Sequence, residues 1–214
     1  MQPKKKLILN VILVVVGLAL IILGVVKIAG GLKNSALSDI IAKFNEIYDL
    51  GSQIGTEMKT TGALLNEISS KEQAKDYSGA AKDAFTSLSE LDNVISKFNT
   101  EKAKISEFKG MLQNSSDPVV KKSGLELVDL LEQRNTASLD LANNTKQYVI
   151  LSRIYYEQLA SGKTEAKIDQ VQTNNLSQKV SQASQTLSAL APQVNTAIDN
   201  FAKAANLKLE STAK

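Results

Sequence analysis

The chain contains no cysteine, no histidine and no tryptophan in 214 residues. Their joint absence removes disulfides, thiolate nucleophiles, imidazole general bases and the usual zinc and haem ligands. Acid–base work would fall to carboxylates, lysines and tyrosines alone, so the expectation is a non-enzymatic protein with no cofactor and no metal. Arginine is scarce too: Arg134 and Arg153 are the only ones, which weakens any case for bidentate phosphate recognition. Alternating apolar and polar runs bounded by turn residues are missing, so no strands are expected. Five of the 25 basic residues (Lys4, Lys5, Lys6, Lys27 and Lys33) precede Asn34, and the remaining 20 face 22 acidic residues, a net charge of −2. No basic patch survives there, so nucleic acid is not an expected partner.

What is present first is Leu7 to Val26, an uncharged run whose one polar side chain is Asn10. As a helix at about 1.5 Å per residue it matches a hydrocarbon core about 30 Å thick. A cleaved secretory signal is the competing reading, but such signals carry an apolar region of about 7 to 15 residues and a small-x-small site. Here the run is longer, and Lys27 interrupts it before Ala29-Gly30-Gly31. The expectation is an uncleaved, single-pass anchor in the cell membrane. Lysine bias puts residues 1–6 in the cytoplasm as a basic N-terminus and the main domain outside. Residues 27–34 form a juxtamembrane linker, with Gly30-Gly31 as its joint.

Heptad spacing dominates the rest. Leu37, Ile40, Phe44, Ile47, Gly51, Ile54, Met58, Thr61, Leu65 and Ile68 follow alternating steps of three and four, a seam that predicts a helix over about 35–69. Ser69-Ser70 with Gln73 reads as a capping box for a second helix over about 79–114. Its stripe is Ala84, Leu88, Leu91, Ile95, Phe98, Ile105 and Leu112, widened by Phe85, Val94 and Phe108, with Lys102 at a seam position. Asp117-Pro118 is a start signal, an N-cap residue before proline at the first helical position, and opens a third helix to 160. Gly162 supplies its left-handed cap. The fourth helix, over about 164–207 with Thr164 as its cap, has its seam at Leu176, Val180, Ala183, Leu187, Leu190, Val194, Ala197 and Phe201. The phase passes unbroken through Pro192, which favours one kinked helix with the ring outward. Residues 209–214 read as a frayed tail. The fold class is therefore all-α: an N-terminal transmembrane helix, then a long antiparallel, up-down-up-down four-helix bundle, coiled-coil-like, over residues 35–208.

Three groups of residues stand out. Gly51, Gly55 and Gly62 are spaced for close approach of a partner helix, or simply soften the first helix. Arg134 falls in the seven-residue series Leu127, Arg134, Leu141, Tyr148, Tyr155. Either the helix rotates and Arg134 points into water, or the guanidinium lies inside and pairs with Glu101, the nearest carboxylate across an antiparallel hairpin, in a buried polar layer. Asn114, Asn143 and Asn175 each begin an Asn-x-Ser/Thr triplet, a glycosylation acceptor where the source glycosylates exported proteins.

An N-terminal anchor before a long exported helical bundle resembles, in architecture, LemA-type membrane proteins and the four-helix sensor domains of bacterial chemoreceptors. The first domain helix lacks the arginine pair and Pro-Asn-Leu stretch of LemA-type chains, and no second spanning segment follows the bundle in these residues. No functional residue is carried over. The leading functional expectation is an interaction or scaffold module with a protein partner or self-association. The alternative is a ligand-sensing bundle working with a separate transmembrane partner, motivated by the polar middle of the third helix.

Overall fold

The computed structural model describes residues 26–28, 35–163, 166–207 and 209–211. The fold is carried by four helices: α1 (Ser35–Gln73), α2 (Tyr77–Gln113), α3 (Pro118–Ala160) and α4 (Gln170–Ala204). With 35 to 43 residues each, they span about 50 to 65 Å at 1.5 Å per residue. Among the described residues no helix is long and apolar enough to cross a membrane. The anchor expectation for Leu7–Val26 falls outside the described residues except at its last position.

Helix ends follow local chemistry. Asp117 accepts the N–H groups of Val119 and Val120 at 2.8 and 3.1 Å, with Pro118 behind it at the first helical position. Two expected boundaries are corrected. The capping box at Ser69-Ser70 does not form: α1 continues through Gln73, and Asp76 caps α2 by accepting from the Gly79 N–H at 2.9 Å. The fourth helix starts at Gln170 under Asp169, which accepts from the Gln172 N–H at 2.9 Å; Thr164 lies outside the described residues. Ser70 lies inside α1, where its hydroxyl donates back to the Asn66 carbonyl at 3.0 Å, and the carboxylate of Asp76 takes the cap position next to the positive end of α2. α1, α3 and α4 all end on a residue in the left-handed region: Lys75 (φ 60), Gly162 (φ 79) and Asn206 (φ 54). In each case the next N–H reaches back five residues, to Lys71, Gln158 and Ala202, the double-bonded Schellman ending. α4 runs through Pro192 as one helix, with the ring exposed.

Consecutive helices pack antiparallel, and interhelical ion pairs mark the register. Lys43–Glu107 (2.9 Å), Lys104–Glu46 (2.7 Å), Lys97–Glu57 and Lys71–Asp83 (2.5 Å) join α1 to α2 from one end to the other. Lys109–Glu132 (3.1 Å), Arg134–Glu101 and Lys146–Asp92 do the same for α2 and α3. α1 and α4 scarcely approach by backbone; they meet through side chains. The Phe44, Phe108 and Phe201 rings close that end, with centroids 5.8 to 6.1 Å apart.

Two further expectations are corrected. Leu209–Ser211 is not a frayed tail, and the expectation of no strands fails where Val26, read as the last residue of the membrane helix, and Lys27–Ile28, read as linker, meet it: they form a two-stranded antiparallel ladder, β1 (Val26–Ile28) with β2 (Leu209–Ser211), Lys27 opposite Glu210. Antiparallel packing returns the chain end to the side where α1 begins, so two short segments pair their backbone groups there. The stripe of α2 also differs. Its buried line is Ala84, Ser87, Leu91, Val94, Phe98, Glu101, Ile105, Phe108 and Leu112, again in steps of three and four. Phe85 is 64% exposed, Leu88 and Ile95 are half-buried, and Lys102 faces solvent.

Candidate functional site

The core divides into two apolar clusters. The lower one takes Ile40–Ile47 from α1, Ile105–Leu112 from α2, Val120–Leu131 from α3 and Val194–Ala205 from α4. The upper one takes Ile54–Ile68, Ala80–Phe98, Ala137–Tyr156 and Leu176–Leu187 from the same helices. Between them lies a polar layer. Glu101 is fully buried, and the structure brings Arg134, 11% exposed at its side chain, into an ion pair with its Oε1. Asn135 Nδ2 donates to Glu101 Oε2 at 2.8 Å and to the Phe98 carbonyl at 2.9 Å. Both carboxylate oxygens are therefore satisfied, the condition for keeping a buried charge.

Gly51 completes the layer from α1. A Cβ there would sit 3.3 Å from Glu101 Oε1 and 3.9 Å from both terminal nitrogens of Arg134. The missing side chain makes room for the pair. Gly55 and Gly62 are buried in α1, and at Gly124 in α3 a Cβ would meet the Leu112 side chain at 2.3 Å. Asn114, Asn143 and Asn175 are all exposed, the first at the α2 C-cap and the other two within helices.

Asn135 belongs to the polar middle of the third helix, but sequence reasoning did not single it out as a partner of Glu101. It lies on a second buried line of α3: Leu131, Asn135, Ser138, Ala142, Thr145, Val149, Ser152 and Tyr156. Asn135 Oδ1, Ser138 Oγ and Thr145 Oγ1 are buried and have no hydrogen-bond partner among the described residues. The three-and-four spacing was legible; the side-chain types disguised it.

A second titratable cluster sits at the far end of the upper half. Tyr156, wholly buried, donates its hydroxyl to Glu72 at 3.0 Å, with Tyr155 stacked obliquely beside it. Burial raises the Glu72 carboxyl, and the Tyr156 hydrogen bond partly opposes that. Burial, then the nearby Glu72 charge, pushes the Tyr148 and Tyr156 phenols above their usual range. Both stay protonated donors at any ordinary pH.

Beside the polar layer an open groove of about 910 Å³ runs between α3 and α4. Asp129, Gln133 and Asp140 line one wall, Lys179 and Gln182 the other, and Ala137 and Ala183 keep it open. Among the described residues no group of carboxylates is arranged to hold a metal ion. The upper half also exposes large apolar side chains: Phe85 from α2, Ile150 and Ile154 from α3, and Val171 from α4. The Arg153 guanidinium lies 5.6 Å from the Phe85 ring centroid. Neither family models, curated proteins nor solved structures yield a match to this chain.

Proposed function

We propose that the chain is a single-pass membrane protein, N-terminus cytoplasmic, that holds its helical bundle outside the cell membrane as a non-enzymatic docking module. The membrane part of this reading is supported by the uncharged run Leu7–Val26 and its flanking lysines. The docking part rests on one observation: Phe85, Ile150 and Ile154 are exposed in the half of the bundle remote from β1, with the half-buried Arg153 against the Phe85 ring. Aromatic and arginine side chains dominate binding energy at protein interfaces, and an exposed ring under a guanidinium offers apolar area with a polar rim. The partner is a protein or a second copy of this chain. Affinity capture of the full chain from membranes in mild detergent, compared with Phe85→Ser and Ile154→Ser, tests it. A partner retained by the wild type and lost from both variants supports the reading; a chain that stays solitary in every case counts against it.

The α3–α4 groove favours a second reading, a sensor of small polar ligands that signals through a separate transmembrane partner. A thermal-shift screen against polar metabolites separates the two, because a ligand bound to the folded state raises the melting temperature by mass action.

A further inference from the structure

In every helix the core changes cluster at one level. Ile47 belongs to the lower cluster and Ile54 to the upper, with Gly51 between them. Ile105 and Phe98 are split in the same way by Glu101, and Leu131 and Ala137 by Arg134 and Asn135. In α4, Val194 is lower, Leu187 is upper, and Leu190, though buried, belongs to neither. Pro192 lies two residues from Leu190 and cannot donate to the carbonyl of Ser188, so the break in the α4 hydrogen-bond ladder straddles this same level. One cross-section thus combines a glycine in α1, a charge pair across α2 and α3, and a proline break in α4.

We propose that this cross-section is an articulation plane, about which the upper half of the bundle tilts against the lower, and that the Glu101–Arg134 pair is its latch. Each half is held by its own close-packed apolar cluster and moves as a unit. Across the plane few apolar contacts are at stake, and the helices best able to bend there are α1, softened by Gly51, and α4, lacking one hydrogen bond. The charge pair resists the tilt because separating it would leave a buried carboxylate uncompensated. Tilting would carry the Phe85–Ile154 face sideways relative to the Phe44–Phe108–Phe201 end.

The chain has no native cysteine, so spin labels can be placed at chosen sites in the full chain in detergent. Exposed Ser89 and Lys122, changed to cysteine, span the plane; exposed Lys59 and Ser89 lie together in the upper half. Pulsed dipolar spectroscopy reads the distance distribution of each pair. Glu101→Gln is expected to widen the spanning distribution by roughly 3 Å, the displacement a tilt of ~10° gives at Ser89, about 18 Å along the helix from the plane. The pair within the upper half should keep its width. Pro192→Ala, a surface change that restores the missing hydrogen bond, should narrow the spanning distribution, and decides the matter alone where Glu101→Gln does not fold. Equal widening of both pairs, no widening of the spanning pair, or a Pro192→Ala distribution identical to the wild type would overturn the articulation plane.

Discussion

Arg134 and Glu101 meet where water reaches the guanidinium poorly and the carboxylate not at all. Truncating one member strands the other's charge. Arg134→Ala should therefore cost about 3–5 kcal/mol in urea unfolding, against about 0–1 kcal/mol for a solvent-exposed pair; a loss in the lower range would show that the layer is not buried in solution. Glu72 makes the opposite kind of residue. Burial raises its folded pKa above 4.5, so the folded state binds its proton more tightly than the unfolded chain does. Its contribution to stability is complete below about pH 4.5 and is lost as pH rises through the raised value. Glu72→Gln should unfold at higher urea than the wild type at neutral pH, with the two curves converging toward pH 4. Glu46, which accepts hydrogen bonds from Lys104 and Lys43, is held down to about 2. Its contribution is present above about pH 4.5 and fades as pH falls toward 2.

At the scale of the element, stability is decided at the ends. Asp117 neutralises two free N–H groups of α3, and Asp117→Ala should lower stability by about 1 kcal/mol. Lys75 is a β-carbon-bearing residue in the left-handed position that closes α1 (φ 60), and its side chain is exposed. Lys75→Gly relieves that conformation and should raise the urea midpoint by the equivalent of about 1 kcal/mol. A neutral or destabilising result would mean that the lost chain entropy of glycine outweighs the relieved strain. Both variants are read by chemical denaturation followed by circular dichroism.

For the whole molecule, the two apolar clusters draw every member from residues 37–207. Neither needs the N-terminal apolar run. Deleting residues 1–33 removes β1 and with it the β1–β2 ladder, yet should leave a highly helical domain with a cooperative thermal transition. Weak helical dichroism from that fragment would show that the bundle depends on the segment preceding α1. The ion pairs from Lys43–Glu107 to Lys71–Asp83 fix the register of the long α1–α2 hairpin. Being partly solvated they serve alignment more than stability.

The sequence by itself determined the number of long helices in the bundle, the limits of α3 and the passage of α4 through Pro192. Those features depend on groups close together along the chain: the Asp117-Pro118 start, the Gly162 stop and an apolar seam of constant phase. Only the tertiary structure decided which face of α2 and α3 turns inward. Ser87, Glu101, Asn135, Ser138 and Thr145 hold core positions there, while Phe85 is left in solvent. Reading apolar residues as the seam fails at such places. Whether a carboxylate or an amide can be buried is settled by a partner on another helix, such as Arg134 for Glu101 and Glu101 itself for Asn135. The meeting of Val26–Ile28 with Leu209–Ser211 is non-local in the same way: neither segment has an intrinsic strand pattern, and each is ordered by being delivered to the other's unpaired backbone.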